Sequence, residues 1–71
     1  MTFDSKSLKL VRVLRGLRQR DLAEKCGGLT ELQISRFEQG RRQPSAETVA
    51  KLCAALDCSP SDLMEDDDAE R

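Results

Sequence analysis

The chain has no histidine, tryptophan or tyrosine, and its aromatic side chains are two phenylalanines. Without histidine, and with no close CxxC pair, it lacks the usual donor set of a zinc site. No nucleophile–base pair or other catalytic constellation stands out, so the sequence reads as neither an enzyme nor a holder of a metal, cofactor or small-molecule substrate. The odd count of cysteines (Cys26, Cys53 and Cys58), with no secretion signal, argues against a disulfide framework. They are expected to be reduced, small apolar side chains in a cytoplasmic protein, with Cys58, beside a helix end, the one candidate for a redox role. No apolar run is long enough for a membrane span or a signal peptide. Few aromatics imply an aliphatic core, and the lack of any alternating strand-like segment implies an all-α fold. Seventy-one residues make one domain, near the lower size at which a single core suffices.

What is present is concentrated in residues 19–40, QRDLAEKCGGLTELQISRFEQG. Leu22, Ala23 and Cys26 form one apolar helical face, and Ile34 and Phe37 form another. Between them Gly27-Gly28 favours a turn, and Thr30 is placed to cap the following helix. Two short helices joined by a glycine-containing turn make a helix-turn-helix unit. Around it, a first helix is expected over about residues 7–15, ending at Gly16. A fourth is expected over about 46–56, capped by Ser45 and carrying Val49, Leu52, Cys53 and Leu56 on one face. Ser59-Pro60-Ser61-Asp62 reads as a start signal for a short fifth helix ending near Met64.

Charge is divided unevenly. Residues 1–58 carry eleven Lys and Arg against seven Asp and Glu, a net charge of +4. Residues 59–71 carry one Arg against six Asp and Glu, a net charge of −5. A basic body suits a nucleic-acid partner. The acidic tail, residues 65–71, is too polar to pack and is expected to be disordered. It reads either as a solubilising end or as an acidic competitor for the basic face.

The order and spacing of Arg12, Gln19, Leu22-Ala23, Gly27, Ile34-Ser35, Glu38, Gly40 and Pro44-Ser45 resemble the lambda-repressor-like, Cro-type (XRE) helix-turn-helix family, from about Leu8 to Met64. The resemblance implies a compact five-helix DNA-binding domain over residues 7–64, preceded by a flexible arm at 1–6. It also implies that the helix after the turn lies in the DNA major groove, a docking geometry worked out for repressors of this family. Two departures stand out. The family usually has one residue fewer between Ala23 and Ile34, so Gly27-Gly28 looks like a one-residue insertion. It also tends to have Ser or Thr where this chain has Arg18, and the lost cap should cost about 1 kcal/mol.

At 100° per residue, Ile34, Phe37 and Glu38 face inward on that helix, which puts Leu32 and Arg36 near the centre of its outer side. By resemblance, Glu31, Leu32, Gln33 and Arg36 contact base edges. Arg36 can bond bidentately to guanine, Gln33 to adenine, Glu31 can accept from cytosine N4, and Leu32 can pack on a thymine methyl. The resemblance further assigns phosphate contacts to Arg18, Gln19, Thr30, Arg41 and Arg42, and a partly buried structural ion pair to Arg12 and Glu38. Double-stranded DNA is the implied partner and a homodimer the implied form, with Leu10, Leu14, Leu63 and Met64 as candidate dimer surfaces. The leading reading is a sequence-specific transcriptional regulator, a repressor on a two-fold operator. The alternative is a protein-interaction module, antitoxin-like or accessory, that keeps the fold with weak DNA affinity; Glu31, Leu32, the inserted glycine and the acidic tail favour it.

Overall fold

Asp4 opens the first helix. Its carboxylate accepts the Lys6 N–H at 3.1 Å and the Ser7 hydroxyl at 2.7 Å, so α1 spans Ser5–Leu14 and begins two residues earlier than the apolar pattern suggests. The computed structural model describes residues 2–65. Three further helices follow: α2 over Gln19–Cys26, α3 over Glu31–Glu38 and α4 over Ala46–Leu56. Gly27 closes α2 at φ 74°, the left-handed region that an L side chain rarely enters, and its N–H bonds to the Ala23 carbonyl.

The expected fifth helix is a single 3-10 turn, Pro60–Leu63, so the domain has four α-helices rather than five. The start signal works as read, since the Asp62 carboxylate accepts the Ser59 N–H at 2.9 Å. The turn goes no further: Leu63 is fully buried, its carbonyl accepts the Asp4 N–H at 2.8 Å, and the backbone is extended at Met64. From Met64 the chain is extended: β2, Met64–Glu65, pairs antiparallel with β1, Thr2–Phe3. This two-stranded patch corrects both the strand-free fold and the free arm expected over residues 1–6. Phe3 also packs its ring edge-on to Phe37, with centroids 6.4 Å apart. A two-residue strand is too short to show as alternation, which is why the sequence pattern did not reveal it. Of the acidic tail, Glu65 belongs to this patch and residues 66–71 lie outside the described residues.

Leu8, Leu22, Ile34, Leu52, Leu56 and Leu63 form the fully buried centre, joined by Ala23, Phe37, Val49 and Cys53. Each such leucine contributes about 1.5–3 kcal/mol by leaving water. Leu63 is therefore core, not a dimer surface, and Met64 is half-buried against it. Leu10 and Leu14 are exposed.

Two arginines, one on the inner side of α1 and one at its C-terminal cap, bind it to the rest. Arg12 is buried: its Nε and Nη2 donate to the two Glu38 carboxylate oxygens at 2.5 and 3.1 Å, and its Nη1 donates to the Leu17 carbonyl at 2.7 Å. The expected ion pair is thus formed, and it also fixes the link between α1 and α2. Arg15 reaches across to the end of α4, donating to the carbonyls of Leu56 at 2.7 Å and Asp57 at 3.2 Å. A cation there satisfies helix-end acceptors and complements the helix dipole.

That helix end has a second consequence. Asp57 adopts the left-handed conformation at φ 55°, and the N–H of Cys58 bonds to the Cys53 carbonyl at 3.1 Å. This closure brings the side chains on either side of it into contact. Here they are Cys53 and Cys58, whose thiols lie close enough for each to influence the other's titration. Burial, followed by the charge that a neighbouring thiolate would carry, pushes the Cys58 thiol from the ordinary 9.0 up to about 11. Burial also raises Cys26 and Cys53, and all three cysteines are free thiols.

Two outcomes follow for stability. Glu38→Ala leaves the Arg12 guanidinium buried without its counter-charge, so thermal or urea melts should show a loss of about 3–5 kcal/mol. An Arg12→Met/Glu38→Leu double variant should recover much of it, since both buried charges are then gone. For Cys58 the folded state holds its proton to higher pH than the unfolded chain does. Stability should therefore fall as pH rises from about 9 to about 11. Melting temperatures across that window should fall less steeply in Cys58→Ala than in the wild type.

Candidate nucleic-acid interface

The start of α3 is built by a reciprocal cap. Thr30 Oγ1 accepts the Gln33 N–H at 3.2 Å, and Gln33 Oε1 accepts the Thr30 N–H at 2.8 Å. The Thr30-x-x-Gln33 spacing spells this box in the sequence. Its cost to Gln33 was not read there: the side chain is half-buried and its carbonyl is engaged, which leaves only its NH2 group to present. Bidentate reading of adenine needs both groups, so it would require the cap to open. The Thr30 hydroxyl is likewise part of the cap.

Beyond the cap, α3 presents an open face. Glu31, Leu32 and Arg36 are all exposed, Leu32 at 58%. Leu32 is a large apolar group standing in solvent at the centre of this surface. It lines a groove of about 310 Å³ together with Gln19, Glu31 and Ser35, between the start of α2 and the outer side of α3. Ser35 is tied to the same helix, accepting from Gln39 Nε2 at 2.9 Å. The inward and outward sides of α3 are those expected, since Ile34 and Phe37 are buried and Glu38 turns to Arg12.

Gln19, in the first turn of α2, donates its Nε2 to Glu38 Oε1 at 3.0 Å. One of its two amide hydrogens is thus held on the buried carboxylate, and what α2 offers an anion at this point is the other hydrogen and backbone N–H groups. Arg18 holds the N-cap position without a side-chain cap, as its chemistry requires, because a guanidinium cannot accept. Asp21 supplies the missing half from the other direction: its carboxylate accepts the Arg18 backbone N–H at 3.0 Å and the Arg18 Nε at 3.1 Å. The guanidinium hydrogen bond, then the backbone one, hold Asp21 below the usual carboxylate range. Arg18 is fully at the surface, and a phosphate would compete with Asp21 for it.

Arg41 and Arg42 follow α3 in an exposed loop. The Arg41 N–H bonds to the Arg36 carbonyl at 3.0 Å, which closes the helix and starts the loop directly beside its end. The structure therefore brings Gln19, Glu31, Leu32 and Ser35 to one groove, keeps Arg36 open on the same helix, and holds Gln33 and Thr30 in the cap. Arg12 and Glu38 sit beneath as support, and the tie from Glu38 to Gln19 is the feature that helical spacing could not show. Among the described residues no group of His, Cys, Asp and Glu is arranged to hold a metal ion, and no helix is long and apolar enough to cross a membrane.

The family model described as helix-turn-helix matches residues 8–63. Among solved structures, the restriction-modification controller protein C.AhdI from Aeromonas hydrophila is 33% identical, with 84% of this chain and 86% of that one covered and a TM-score of 0.80. The clp gene regulator ClgR from C. glutamicum is 32% identical over 83% of this chain and 74% of that one, with a TM-score of 0.78. The P22 c2 repressor, solved with a synthetic operator, is 26% identical over 92% of this chain and 97% of its own, with a TM-score of 0.80. No curated protein gives a significant match. These relatives are regulators rather than enzymes. With the helix pair, its turn and the buried Arg12–Glu38 support all in place, the chain belongs to the lambda-repressor-like, Cro-type (XRE) helix-turn-helix family of DNA-binding transcription regulators.

Proposed function

We propose that this protein is a sequence-specific cytoplasmic repressor that binds a two-fold operator as a homodimer. The observation that carries this reading is the open face of α3, where Arg36 and Leu32 stand outward beside the groove and Arg41–Arg42 flank the helix end. Arg36 takes a guanine through its two-pronged guanidinium, Leu32 a thymine methyl, and Glu31 a cytosine amino group. Gln33 offers its NH2 group to a base acceptor while its carbonyl holds the cap. Arg41 and Arg42, with Arg18, Thr30 and the start of α2 at Gln19, meet phosphates and so fix register without reading sequence. The family likeness to a repressor solved on an operator supports both partner and class. The dimer follows from number: one module makes few base contacts, and two half-sites on a palindrome multiply them. Selection of bound sequences from random duplex DNA tests the whole reading. It should return a palindrome, and recovery of no enriched sequence would sink it.

Arg36→Ala should cost about 1–3 kcal/mol on the selected operator and relax preference at one base pair per half-site. Arg36→Lys should rescue only in part, because the fork is lost. Thermal melts should hardly move, since the side chain is exposed. Titrations on operator and on scrambled duplex decide the matter, and a parallel loss on both would demote Arg36 to a phosphate contact.

Arg41→Ala and Arg42→Ala should each weaken binding to every duplex alike. Each should also make the log–log salt dependence shallower by about 1, the loss of one phosphate contact. A changed base preference would instead place the altered side chain in the groove.

A further inference from the structure

Helix α1 buries Leu8 and Arg12 and packs Val11 against the core, yet it carries a second set of apolar groups on its outer side. Arg12 turns inward to Glu38 and the Leu17 carbonyl, and Arg15, at the helix end, reaches the end of α4. Leu10, Val13 and Leu14 turn outward and are 59%, 55% and 69% exposed. They stand at i, i+3 and i+4, so they form one stripe along the helix. Beside the stripe lies a groove of about 460 Å³ lined by Lys6, Lys9, Leu10, Val13 and Glu38. Its one acid is already committed, since Glu38 accepts from Arg12 and Gln19. Neither Lys6 nor Lys9 is in a salt bridge among the described residues.

We propose that this outer face of α1 is a docking surface for an acidic amphipathic helix of another protein, a contact separate from the DNA-facing side of α3. An apolar stripe at helical spacing fits the apolar side of a partner helix, and the two lysines on one flank call for carboxylates on the partner. Charge decides between the possible occupants. The free charges beside the stripe are Lys6 and Lys9, and the one acid there is spent on Arg12 and Gln19, so a second copy laid on this face would bring lysines and no free carboxylate to meet them. Duplex DNA would engage the lysines, but it would leave the leucines and the valine without apolar contact.

The probe is a synthetic peptide of about 16 residues, with leucines at i, i+3, i+4 and i+7 and glutamates flanking them. A matched control has lysines in place of the glutamates. NMR titration of the full chain should move resonances of α1 around Leu10, Val13 and Leu14, with the acidic peptide binding at least about tenfold more tightly than the control. Leu10→Glu/Leu14→Glu should weaken the acidic peptide about tenfold or more. Lys6→Glu/Lys9→Glu, which leaves the stripe intact, should do the same and guards against a folding defect in the first variant. Operator binding should survive in both variants, so failure here is distinct from failure of the DNA reading. The proposal is overturned if the acidic peptide does not bind, binds elsewhere, or binds no better than the control. It is equally overturned if the wild type self-associates through this stripe in sedimentation, or if duplex DNA rather than peptide moves the α1 resonances.

Discussion

A guanidinium taken out of water must find a partner for its charge and for its N–H groups, and Arg12 meets that demand in a way that fixes the domain. Its contacts run to Glu38 at the end of α3 and to the Leu17 carbonyl between α1 and α2. Glu38 in turn receives Gln19 at the start of α2. One buried charge therefore holds three helices in a single relative orientation. Such a pair is not a source of large net stability, because desolvation offsets most of the attraction. Its effect is on arrangement: displacement of any one of these helices strands a charge or an amide, whereas leucines alone would tolerate a slide.

The open face of α3 is set by this support from below. Gln19 is committed to Glu38 and Gln33 to the Thr30 cap, so two of the polar groups on this side of the domain are held by the protein itself. The groups left open are Glu31, Leu32 and Arg36, one acidic, one apolar and one basic. The same residue type thus divides into buried ties and open surface groups according to what lies within reach, not according to its place on a helical wheel. Arg12 and Arg15 face acceptors across the core and become ties, while Arg36 faces solvent and remains available.

Helix α1 shows the cost of this scheme on the opposite surface. With Arg12 taking an inward position beside Leu8, three apolar residues are left on the outer side, and Leu10, Val13 and Leu14 stand exposed beside Lys6 and Lys9. The stabilising role of the inner side and the open character of the outer side are two results of the same placement.

Much of this was legible in the chain alone. The apolar spacing of residues 22–26 and 34–37, the glycine turn, and the capping signals at Thr30, Ser45 and Ser59 are local, and local signals survive reading one residue at a time. They determined the helices, the helix-turn-helix and the outward position of Leu32 and Arg36. Tertiary structure decided what local signals do not encode. The Asp4 N–H bonds to the Leu63 carbonyl, and Met64 pairs with Phe3 instead of continuing the last turn. Arg15 finds the end of α4, 41 residues away in sequence, and Gln19 finds Glu38, 19 residues away. Each is a hydrogen bond between groups that only the packed core brings within about 3 Å, and no periodicity within a helix can announce a partner on another one.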